Sequence, residues 1–194
     1  MAARRGRGDV LALVERRGIA IELDGVDRLL AACARNDRAA VRSIAESEPR
    51  LVSAVVAEGG KVLAEFAGVG NTDGVRQLLD LGVKVDALYE GDGYFEEARN
   101  STALHVAAWR AKHTTLKLLL ERGANVNARD GRGRTPLALA VRACVDSYWM
   151  ERRSPESVEA LLRAGASMAD VAFPSGYEPV DGLLRSYAKQ SEGV

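Results

Sequence analysis

Apolar and small residues recur every three or four positions along most of the chain, with charged residues between them, the period of helices buried along one stripe. Residues 102–124, TALHVAAWRAKHTTLKLLLERGA, show it most plainly. Leu104, Ala107 and Ala108 share a face of one predicted helix, and Leu116, Leu119 and Leu120 share a face of the next. Gly123 then supplies the left-handed stop that a helix C-terminus favours. The phrase begins again at Thr135-Pro136-Leu137, 33 residues after Thr102. One helix pair leaves its broad faces uncovered, so neighbouring pairs must stack to bury them.

The same alternation extends in both directions. Leu63, Ala67, Val75, Leu79 and Gly82 align with Leu104, Ala108, Leu116, Leu120 and Gly123, which starts a repeat at Lys61. Residues 27–46 carry a helix, a short turn at Asn36 and a second helix, with Asn tolerating the positive φ a turn asks for. Upstream, Asp9 is the expected N-cap and Gly18 the stop of a single helix. Downstream, Ser154-Pro155-Glu156 marks the start of another helix, Leu161, Leu162 and Gly165 complete it, and Pro179 opens a last helix carrying Leu183 and Leu184.

The 33-residue period, with its Thr-x-Leu start and Leu-Leu-x-x-Gly-Ala finish, resembles the ankyrin repeat, a turn followed by two antiparallel helices. The resemblance covers residues 27–188 and is strongest over 102–166. It implies an all-α solenoid of about four helix-turn-helix repeats with N- and C-terminal capping helices and two insertions, in a single domain over 1–194. The divisions read as an N-cap over 9–26, repeats over 27–60, 61–101, 102–134 and 135–177, and a capping helix over 178–188. Ala64 and Ala138 depart from the family's His at that helix position. Asn100 stands for the turn Gly before the third repeat, and Ala111 for the Gly before its second helix.

Composition narrows the class. Lys and Arg total 27, as do Asp and Glu, so no global field recruits a nucleic acid or an anionic membrane. The two cysteines, Cys33 and Cys144, lie far apart in sequence, and the opening MAARRGRG leads into a charged amphipathic stretch rather than an apolar signal core. No apolar run approaches the roughly 18 residues needed to cross a bilayer. The expectation is a monomer in a reduced, cytoplasmic setting, without cofactor or metal. Arg4, Arg5 and Arg7 read as a solvated terminal tail rather than a nucleic-acid site.

Two spacings exceed the period. Gly82 to Gly123 is 41 residues and Gly123 to Gly165 is 42, which places extra residues in ALYEGDGYFEEARN and around VDSYWMERR. Five of the ten Phe, Trp and Tyr residues lie there, namely Tyr89, Tyr94, Phe95, Tyr148 and Trp149. These aromatics either contact a partner or fold back to cover apolar surface of the array. Asp86, Glu90, Asp92, Glu96 and Glu97 make the first insertion acidic, while Arg129, Arg132 and Arg134 make the following turn basic. The two turns complement a partner or each other.

In the resembled family, partners bind the concave face formed by the inter-repeat turns and the first helix of each repeat. Carried over, that face comprises Arg99, Ser101, Trp109, Arg110, Arg132, Arg134 and Arg142, with Trp109 as the expected anchor. The implied function is a non-enzymatic adaptor that binds a protein through this face and its inserted loops. On this reading Trp109→Ala with Arg132→Glu weakens binding and leaves melting unchanged. The alternative is an enzyme or small-ligand protein whose aromatic insertions close a pocket over Asp92, Glu96 or Glu97, with a carboxyl pKa raised by burial. His105, in Thr-Ala-Leu-His, is structural by the same resemblance, its imidazole bonded near the turn and the Thr. EGDGYFEE lacks the alternating ligands of a calcium loop, and neither Cys has the neighbours of an activated thiolate.

Overall fold

The computed structural model describes residues 1–146 and 153–192, and among these the architecture is all-helical. It holds α1 (Gly8–Arg16), α2 (Gly25–Ala34), α3 (Arg38–Ser47), α4 (Pro49–Ala57), α5 (Gly59–Val69) and α6 (Thr72–Asp80). These are followed by α7 (Ala103–Trp109), α8 (His113–Glu121), α9 (Pro136–Val145), α10 (Glu156–Arg163) and α11 (Glu178–Glu192). The pairs α5/α6, α7/α8 and α9/α10 stack in two layers: α7 packs between α5 and α9, and α8 between α6 and α10.

Local chemistry explains the boundaries. Asp37, Asn71 and Thr135 each accept a backbone N–H from three residues further on, at the starts of α3, α6 and α9. At the start of α10 Pro155, not Ser154, is the N-cap; Ser154 sits one residue earlier and accepts the Glu156 N–H at 3.3 Å. Gly82, Gly123 and Gly165 all take positive φ where the second helices end, a backbone that a Cβ would strain. Ala111 adopts φ +52 in the turn between α7 and α8, without glycine's freedom there. Asp9 is not the N-cap of α1; Arg7 occupies that position and pairs with Asp9 inside the first turn at 2.7 Å.

The core follows the apolar stripes. Leu63, Ala67, Val75, Leu104, Leu116, Leu119, Leu137 and Leu161 are completely buried. Leu79 and Leu120 are only half-buried, and Leu78 and Leu118 take the inner positions of their helices. The N-terminal end departs from the regular pattern. The Pro49-initiated α4 is an additional helix where the sequence suggested only the tail of a repeat, and α2 packs against α3, α4 and α6. Nor is the N-terminal segment a loose tail. Ala3 is buried, and Arg4 bridges Asp27 at 2.6 Å and Glu58 at 2.9 Å.

No helix among the described residues is long and apolar enough to cross a membrane.

Candidate partner-binding face

Between α6 and α7 the chain runs through residues 81–102, eight residues more than the corresponding connection 122–135. The additional length forms a small antiparallel hairpin. Tyr89 pairs with Ser101 and Asp92 with Glu97 through isolated bridges, and Asp92 also accepts the Tyr94 N–H at 2.9 Å. Glu96 takes positive φ, which turns the chain back toward the helices.

The hairpin lies over α7. The indole Nε1–H of Trp109 donates to the Phe95 carbonyl at 2.7 Å, and the Arg110 guanidinium stacks 3.9 Å from the Phe95 ring centre. Arg110 Nε also donates to Glu97 Oε1 at 2.6 Å, a pair whose side chains are 7% and 2% exposed. Further along, Arg142 reaches Glu96 at 2.8 Å while sitting over the Trp109 ring at 4.9 Å. Two of the loop's carboxylates, Glu96 and Glu97, are thus paired with arginines, and Lys61 approaches Glu90 at 3.4 Å.

Burial raises the Glu97 carboxyl pKa above its ordinary value, and the Arg110 hydrogen bond opposes that rise. Its second oxygen, Oε2, is buried without a hydrogen-bond partner. Tyr89, behind the hairpin, has its phenol pKa pushed up by burial first and by the Glu97 charge second.

The next turn, 128–135, is shaped by Asp130, whose buried carboxylate accepts the N–H groups of Arg132 and Arg134 at 2.9 Å and Arg134 Nε at 2.8 Å. The two turns are tied together where Gly131 N–H donates to Arg99 O at 2.7 Å and Arg134 donates to Glu96 O at 3.3 Å. At their bases, Asp86 accepts the Asn125 N–H and Asn127 accepts the Ser167 N–H. Arg129 binds the Gly133 carbonyl and Asp170.

His105 joins helix to turn. Its Nε2 lies 3.1 Å from the carbonyls of Ala128 and Arg134, which only accept, so Nε2 carries the proton. Nδ1 then accepts the Thr102 N–H at 3.1 Å. Burial lowers the His105 pKa, with the two carbonyls opposing, and the imidazole is a neutral brace.

Sequence reasoning therefore needs correction at four of its candidates. Trp109 (4% exposed), Arg110, Ser101 and Tyr89 are inside the fold, covered by the hairpin or forming its base, because covering the ring removes apolar area that an open face would leave in water. These four side chains lie beneath the surface that the hairpin and the following turn present. What remains outward is Tyr94, 87% exposed and set edge-on to Phe95 with centroids 4.9 Å apart, together with Arg99 and Arg132. Arg134, Arg142 and Phe95 are partly exposed. Tyr148 and Trp149 lie outside the described residues. Of the three carboxylates considered for a pocket, Glu97 is buried but held by Arg110 rather than open to a cavity. The cleft beside the hairpin, about 490 Å³, is lined by Arg4, Arg5, Lys61, Glu65, Glu90 and Asp92 among others.

Both thiols are buried and unpaired; desolvation pushes the Cys33 pKa up to about 12 and raises that of Cys144. Among the described residues no cluster of three or more His, Cys, Asp or Glu side chains is arranged to hold a metal.

Comparison with known proteins places this geometry in context. A family model described as ankyrin repeats (3 copies) matches residues 29–130 and 85–172. The chain is 34% identical over 84 residues to serine/threonine-protein kinase 12 of Arabidopsis thaliana, covering 43% of this chain and 17% of that one. It is 47% identical over 51 residues to human Rabankyrin-5, covering 26% and 4%. To an ankyrin repeat protein of Rickettsia bellii (strain RML369-C) it is 30% identical over 131 residues, covering 59% and 48%. Each match spans less than half of the relative's length.

Proposed function

The chain belongs to the ankyrin repeat family, whose members are generally protein-interaction modules, and from that premise we propose that it is an adaptor binding one protein partner through the hairpin and turn strip of its inner face. The observation that carries the proposal is Tyr94. An aromatic ring left 87% exposed costs solvation unless something covers it, and here it sits on a hairpin fixed by Trp109, Arg110 and Arg142. A ring held in place before binding loses little further freedom on contact. Arg99 and Arg132 flank the strip on adjoining turns, and Arg134 and Arg142 supply its partly covered edge. The reading includes a monomer acting in a reduced, cytoplasmic compartment, in keeping with two separately buried thiols.

The test pairs Tyr94→Ala with Arg132→Glu, both at exposed positions, so that melting and circular dichroism stay at wild-type values. Wild type and variant are immobilised, bound proteins from cells that express the protein are identified, and the affinity of the retained protein is measured with purified components. Affinity at least about tenfold weaker for the folded variant, a loss of 1.4 kcal/mol or more, supports the strip. Equal affinity refutes it.

A further inference from the structure

The outer layer of helices contains a second surface that the inner-face reading leaves unused. α2 packs against both α3 and α6, and those two outer helices leave between them a groove of about 410 Å³. Three arginines line it: Arg38 and Arg42, one turn apart on α3, and Arg76 on α6. Many of the Lys and Arg side chains among the described residues are engaged by carboxylates, whereas no ion pair or side-chain hydrogen bond is recorded for these three. Asp80, the one carboxylate lining the groove, is taken by Arg122 at 2.9 Å. The floor is apolar, formed by Val41, Ala45 and Leu81. Gln77, 5% exposed, lines the same groove; its amide nitrogen donates to Asn36 at 2.9 Å, while its Oε1 is buried without a donor.

We propose that this groove docks an acidic, apolar-bearing peptide segment of a partner protein, with carboxylates on Arg38, Arg42 and Arg76 and an aliphatic side chain on the Val41, Ala45 and Leu81 floor. Charge complementarity selects the sign, because three unpaired guanidinium groups present forks that match carboxylates in two-point contacts. Residues one helical turn apart are separated by about 6 Å along the axis, which is also the spacing of alternate side chains on an extended strand or of i, i+4 residues on a helix. One feature favours a peptide over a bare phosphate: a phosphate leaves the apolar floor of Val41, Ala45 and Leu81 wet, whereas an aliphatic side chain of a peptide covers it. The surface is separate from the Tyr94 strip, so the two proposals stand or fall independently.

The experiment is an amide chemical-shift titration of the full chain with a 16-residue peptide of repeated Glu-Glu-Leu, its Lys-Lys-Leu counterpart, inorganic phosphate and a 12-nucleotide oligouridine. The acidic peptide is expected to shift residues 38–45 and 76–81, leave 94, 99 and 132 in place, and weaken with added salt. Arg42→Glu with Arg76→Glu is expected to reduce its affinity at least about tenfold, the loss of one charge-assisted hydrogen bond. Arg42→Gln with Arg76→Gln, which places no new negative charge on the surface, gives a smaller loss in the same direction and decides the matter if the reversed variant does not fold. The proposal is overturned if the acidic peptide leaves the groove unshifted, if both double variants bind it as wild type does, or if phosphate or oligouridine binds there more tightly.

Discussion

Trp109→Ala is the perturbation that separates a contact residue from a supporting one. The indole is 4% exposed, covered by the hairpin, bonded through Nε1 to the Phe95 carbonyl at 2.7 Å and flanked by Arg142 at 4.9 Å. Truncating a buried Trp removes its transfer free energy and leaves a cavity, about 3 to 5 kcal/mol. The Phe95 carbonyl also loses its donor, though solvent entering at the hairpin edge restores part of that, so about 4 kcal/mol is the expected total. At roughly 2 to 4 °C per kcal/mol for a chain of this size, the melting temperature should fall by about 8 to 16 °C. The assay is thermal and urea unfolding followed by circular dichroism, with Trp109→Phe beside it. That variant keeps most of the ring volume but deletes the N–H and part of the fused indole, so a smaller loss of about 1 to 2 kcal/mol is expected. Because α7 lies between α5 and α9, the loss falls at the centre of the array, not at a fraying end. A Trp109→Ala protein melting within about 2 °C of wild type, half of the 4 °C that 1 kcal/mol can produce, refutes the covered position of the ring.

Two further outcomes test the frame. Leu119, completely buried on α8, should cost about 2 to 5 kcal/mol when cut to Ala, read by urea unfolding, and an unchanged midpoint contradicts the stacking register. His105, its pKa held below the ordinary 6.5 by burial, binds fewer protons folded than unfolded; stability is therefore full above pH 6.5 and declines as pH falls through that value toward the folded pKa. Comparing wild type with His105→Gln across pH 7.5 to 5 should show that acid-side decline only in wild type, and parallel curves rule it out.

Much of the fold was legible in the chain because periodicity records which stripe of each helix is buried, and that is a local property. Leu104, Leu116 and Leu119 repeat at helical spacing and are buried, and Gly82, Gly123 and Gly165 end helices at positive φ. The turn at Asn36 was equally readable, since its tolerance of φ +57 belongs to the residue itself. α4 was obscured because it follows α3 after a single residue, Glu48, so no Gly or loop separates the two patterns.

The face itself was decided elsewhere. Whether an aromatic loop projects or folds back depends on what it meets, and those partners are distant in sequence: Phe95 meets Trp109, Glu96 meets Arg142 across 46 positions, and Gly131 meets Arg99. Identity alone made Trp109 look like an anchor and Tyr94 like one aromatic among five. Only packing buried the first and exposed the second, because burial of a loop is the outcome of competition between neighbours and solvent for its surface. The same holds for the outer groove. Arg38, Arg42 and Arg76 are ordinary surface arginines in the sequence, and only the separation of α3 from α6 gathers them without carboxylate partners. The chain's periodicity determined a stack of helix pairs; the contacts between pairs determined which of its side chains are left facing water.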